Sequence, residues 1–158
     1  MELIFLWKFV HVLGACVLLG AGLGIAFFMF TANRTRHPGV IAVTTRIAVV
    51  ANLFFIAAGM VVLPLSGWAL ARAIGLFPLE ESWIVLSIFL YLFVLLCWLP
   101  VVFIQIRMRN LAREAAMTTK KLPDEYRRLF VLWFCLGWPA LAAVVAIFAL
   151  MVWQPRVW

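Results

Sequence analysis

Lys8 and His11 are the two ionisable side chains that fall inside an apolar run of this 158-residue chain. Ionisable groups are costly in hydrocarbon, and where they occur they tend to serve a function. Three residues apart, the two share one face of a helix. Ala15 and Gly22 carry that face inward, and Gly14 lies beside His11 on the adjacent turn. A neutral imidazole nitrogen can bind heme iron, a nearby lysine can pair with a propionate, and small residues admit a flat macrocycle. His11 is therefore the candidate cofactor and metal ligand, with Lys8 and Gly14 beside it and heme b or a porphyrin as the group that fits. The competing reading is structural: a histidine hydrogen-bonded to a serine or carbonyl, and a lysine whose stem runs out to the headgroups.

Depth along the helices adds neighbours. His11 lies about 12 Å from the outer end of its helix, at about 1.5 Å per residue. Ser66 in the second apolar run, and Ser87 and Tyr91 in the third, come at similar depth. One polar pocket in the outer leaflet can thus collect His11, Ser66, Ser87 and Tyr91. His37 belongs to a turn at the other end and cannot share a metal with His11 in one subunit. Copper handling through His11 with Met60 or Cys16 as soft ligands is disfavoured, because their depths match poorly. Other chemistries lack residues altogether. There is no HExxH, no P-loop, no paired carboxylate within an apolar run, and all six acids lie at ends or in loops. No catalytic set is recognisable.

The elements that must position these groups are four apolar runs, roughly 3–30, 47–70, 83–104 and 130–153. A spanning helix needs about 20 mostly apolar residues, since every backbone polar group must be satisfied inside the bilayer. The chain is 68% hydrophobic and only 12% charged, with mean hydropathy +1.15, which puts it in the integral membrane class. The predicted fold is all-α: one domain, a four-helix transmembrane bundle whose first partner is the lipid bilayer. The net charge of +7 belongs to loops that meet anionic headgroups, not to a nucleic-acid surface. Cys16, Cys97 and Cys135 all fall within runs, an odd number without CxxC spacing, and read as small apolar core residues.

Charge sets the orientation. Arg34, Arg36 and Arg46 follow the first run, and Arg107, Arg109, Arg113, Lys120, Lys121, Arg127 and Arg128 follow the third. Ten of the thirteen basic residues thus share one side, which the positive-inside rule makes cytoplasmic. Both termini and the 73–82 loop then face outward, and Trp7, Trp68, Trp83 and Trp153 mark the outer interface. The bacterial inner membrane is the expected location. Residues 105–116 hold no helix breaker and Pro123 restarts a helix, so a basic helical hairpin is expected in the cytoplasm. Gly20 and Gly24 make a GxxxG step for close helix packing, within the chain or toward a second copy or a larger membrane complex. Asn52 is expected to hydrogen-bond between helices, and Pro64 to free the carbonyl of Met60.

Three stretches carry a family resemblance: Leu6-Trp7-Lys8-Phe9-Val10-His11-Val12-Leu13-Gly14-Ala15, then 99–109, and Gly137-Trp138-Pro139-Ala140. They resemble a bacterial family of predicted four-span membrane proteins, a domain of unknown function, over essentially the whole chain. The resemblance implies the topology and no activity. Lys8-x-x-His11-x-x-Gly14 is also similar to the first helix of the heme-containing membrane protoporphyrinogen oxidases, the copper-resistance D proteins and the membrane part of bacterial urate oxidases. In those groups a tryptophan commonly follows the histidine, where this chain reads Cys16-Val17-Leu18-Leu19-Gly20.

Overall fold

The computed structural model describes residues 2–118 and 121–155. Helix α1 spans Glu2–Thr35. The second rod joins α2 (Pro38–Ala51), a π-helical turn (Asn52–Ile56) and α3 (Ala57–Ala73). Helices α4 (Ser82–Met117) and α5 (Asp124–Trp153) complete the bundle. All four rods are long and apolar enough to cross a membrane, and no strand occurs among the described residues. Lys120, weighed above for orientation, lies outside the described residues.

The rods outrun the apolar stretches at the basic end. Only Arg36 and His37 separate α1 from α2, with Arg36 in the left-handed region at φ 54°. Pro38 takes the first turn of α2, where its missing N–H costs nothing, so it starts the helix instead of prolonging the expected loop. Helix α4 has 36 residues, roughly 54 Å at about 1.5 Å each, and carries the basic segment out of the hydrocarbon. Helix α5 begins behind Pro123 with Asp124 and Glu125 in its first turn, where acids meet the positive end of the helix dipole. Arg107 ties the two arms, donating to both carboxylate oxygens of Glu125 at 2.8 and 3.2 Å. Both side chains are about half exposed, so the pair sets geometry more than stability.

The tightest packing also sits toward the basic end, where Met29, Ile41, Thr45, Met108 and Ala112 are almost fully buried. Helix α1 packs along α2 and α3, and α4 along α5 and α2, while α1 and α5 barely touch. Side chains such as Phe54, Phe89, Leu96 and Phe103 are exposed on the bundle surface, where hydrocarbon is the solvent.

Three glycines carry the close approach of α1 and α3. A Cβ on Gly59 would sit 3.0 Å from Leu18, one on Gly67 would sit 2.9 Å from the His11 ring, and one on Gly14 would touch Leu63 at 3.5 Å. A Cβ on Gly20 or Gly24 would meet nothing within 4 Å. Among the described residues, the Cβ positions of the GxxxG step therefore face open space. Its motif fixes spacing but not which face turns inward, and helix rotation places it outside. The same rotation corrects the cysteines: Cys97 is buried, whereas Cys16 and Cys135 are exposed on the bundle surface. Trp83, in the first turn of α4, is buried with its indole N–H donated to Glu81 at 3.2 Å.

Candidate functional site

The site begins at Pro64. Proline has no N–H, so the carbonyl of Met60, four residues back, loses its helical donor. Tyr91 of α4 fills that vacancy, its hydroxyl donating to the Met60 carbonyl at 2.6 Å. One turn further along α3, the Ser66 hydroxyl donates to the Val62 carbonyl at 2.6 Å. His11 of α1 reaches the same turn, with Nδ1 at 3.1 Å from both the Leu63 carbonyl and Ser66 Oγ. Gly67 leaves the space in which the imidazole lies.

The partners fix the tautomer. A carbonyl only accepts, and the one hydroxyl proton of Ser66 is directed at Val62, so Nδ1 carries the hydrogen. Nε2 is then left with its lone pair. Metal-binding histidines share one half of this arrangement, a ring nitrogen anchored to a carbonyl.

The expected residues do not all meet. His11 and Ser66 are hydrogen-bonded, and Tyr91 caps the same proline-modified stretch through the Met60 carbonyl. Ser87 is buried but donates to the Trp83 carbonyl of its own helix at 2.7 Å. A Cβ on Gly14 would touch Leu63 and Val62 of α3. Lys8 is exposed, on the turn outward of His11.

A second polar constellation lies nearer the basic end. Asn52 Nδ2 donates to Gln105 Oε1 at 2.7 Å, and Trp98 Nε1 donates to Asn52 Oδ1 at 2.7 Å. Tryptophan only donates, so it orients the amide of Asn52, and both asparagine functions are used. Asn52 and Gln105 are 3% and 2% exposed, which makes this the buried polar junction between the two halves of the bundle. It adjoins the π-helical turn, where the Ala57 N–H bonds the Asn52 carbonyl five residues back. Sequence reasoning found Asn52 but read Gln105 as part of the protruding helix. Gln105 heads the polar stretch after 104, and only its facing partner on α2 reveals its burial. The same residues close one side of an apolar cavity of about 430 Å³ between α1, α4 and α5. Among the described residues every buried side-chain polar atom has a hydrogen-bond partner, and no group of three or more potential metal ligands occurs.

Compared with known proteins, residues 5–155 match the family described as "Predicted integral membrane protein (DUF2269)". No curated protein and no solved structure matches the chain.

Proposed function

The chain belongs to the DUF2269 family of predicted integral membrane proteins, and on that premise we propose that it holds a b-type heme or related porphyrin through His11 in the bacterial inner membrane. The observation that carries this reading is the anchored imidazole, with Nδ1–H spent on the Leu63 carbonyl and Nε2 left as a lone-pair donor. With no cluster of three potential ligands among the described residues, a bare copper or zinc ion is poorly served. A metal that arrives with four macrocycle nitrogens needs only one imidazole from the chain. Heme when bound would supply one-electron chemistry. The chain's own part is to fix the ring through Leu63, Ser66 and Gly67, to offer Nε2, and to place the Lys8 ammonium one turn outward for a propionate.

Protein purified from heme-replete cells is expected to show a Soret band that His11→Ala loses and added imidazole partly restores. His11→Ala removes the ring from the space beside Gly67, so thermal unfolding must be followed in parallel. A colourless wild-type preparation overturns the assignment.

A second reading is favoured by Gly20 and Gly24, whose Cβ positions are empty within the chain. On that reading the protein is a non-enzymatic subunit of a larger membrane complex, or a homo-oligomer, joined through this strip. Gentle detergent extraction at native abundance should co-purify a partner; a lone monomer removes the support. For either reading the basic end faces the cytoplasm by the positive-inside rule. A C-terminal reporter that is active only in the cytoplasm should stay silent after Trp158, and strong signal reverses the orientation.

A further inference from the structure

We propose that the seam between α1 and α5 is a binding site for one anionic phospholipid, with its phosphate in a basic mouth and an acyl chain in the apolar slot beneath. The mouth is a cavity of about 890 Å³ at the basic end, between the α1–α2 turn and the α4–α5 hairpin. Arg36, His37, Lys121 and Arg127 line it with a single acid, Asp124. None of Arg36, Lys121 and Arg127 forms an ion pair among the described residues, where the one salt bridge is Arg107–Glu125. The first turn of α2 opens on the same cavity. Its N-cap, His37, makes no side-chain capping bond, so the amides of that turn add positive potential. Arg36 is held there in a left-handed conformation uncommon for a side chain other than glycine or asparagine.

The slot follows without a break in register. Asn33 and Phe130 line the mouth, while Phe30 and Phe134, one turn deeper on the same two helices, line the apolar cavity of about 430 Å³. The Arg34 guanidinium stands over the Phe30 ring at 5.2 Å, a cation at the junction of the two. Deeper still, Gly22 and Gly137 line the slot, and a Cβ on either would meet nothing within 4 Å. Because α1 and α5 barely touch, the slot runs alongside the membrane hydrocarbon. Charge at headgroup depth and apolar space below it are the two halves of an anionic lipid, which polybasic surfaces at a membrane already attract. A free phosphate would use only the mouth.

The test reconstitutes the full chain in nanodiscs of phosphatidylcholine containing a minor fraction of phosphatidylglycerol, releases it gently, and counts retained lipid by native mass spectrometry. One phosphatidylglycerol per chain is expected, in preference to phosphatidylcholine. Arg36→Gln and Arg127→Gln should each weaken retention roughly fivefold, whereas Arg113→Gln, away from the mouth, should not. Gly137→Leu and Gly22→Leu should fill the slot and lower retention at least tenfold, with thermal stability in pure phosphatidylcholine kept. Equal retention of the two lipids, loss with Arg113→Gln equal to that with Arg36→Gln, or indifference to both glycine variants overturns the site. Competition by soluble glycerol phosphate as strong as by phosphatidylglycerol overturns the acyl slot.

Discussion

Asn52→Leu is expected to lower unfolding free energy by about 2–3 kcal/mol, because one side chain serves two buried partners. The substitution orphans the Trp98 indole N–H and removes the donor to Gln105 Oε1. A buried polar atom left unpaired costs about 1–3 kcal/mol, and in hydrocarbon no water enters to repair it. Removing both amides should hurt less than the sum. Asn52→Leu with Gln105→Leu leaves only the indole without a partner, so the double variant is expected to be no worse than Asn52→Leu alone. Thermal or denaturant unfolding in one detergent gives all three values. Wild-type stability for Asn52→Leu would mean that the junction does not hold the halves of the bundle together.

Gly59→Leu should cost about 3 kcal/mol, the upper part of the usual overpacking range. The added Cβ alone would sit 3.0 Å from Leu18 Cδ1 and 3.3 Å from Leu18 Cβ, and Leu18 is itself buried. Neither helix can give way without opening the α1–α3 contact that also seats His11. Gly20→Leu is the matched control, since its Cβ meets nothing within 4 Å. It should be neutral, or up to about 1 kcal/mol stabilising through helix propensity. This reverses what the GxxxG spacing suggests. If Gly20→Leu proves damaging while Gly59→Leu is silent, the packing surface of α1 has been assigned to the wrong side; if both are damaging, Gly20 touches another chain.

The contrast marks where sequence reasoning reached its end. Four apolar runs announce four helices, because hydrocarbon leaves the backbone no alternative. Which face of a rod turns inward is much harder to read when lipid is as apolar as the core. Gly20 and Cys135 went outward, and Gly59, which no motif distinguishes, became a point of close approach. The π-helical turn had no signal either, as Asn52–Ile56 contains neither glycine nor proline. Polar residues were more legible. Depth alone brings His11 to the level of Ser66, and the chemistry of proline identifies the Met60 carbonyl as a group in need of a donor. Ser87 has the right depth, yet its short side chain is satisfied by the preceding turn of its own helix. Pro38 illustrates the same ambiguity in a loop, since one residue type both ends helices and begins them.

The neglect of α5 by α1 bears on how the protein is made. Each rod leans chiefly on a rod next to it in the chain: α1 on α2 and α3, α2 on α4, α4 on α5. Ribosomal synthesis delivers them in that order, so each can find its main neighbour as it leaves the insertion machinery, without waiting for a distant segment to close a ring. Local contacts of this kind also favour fast assembly. The last helix to arrive completes no circle and displaces nothing, and the bundle reaches its final form with one flank still turned toward the membrane.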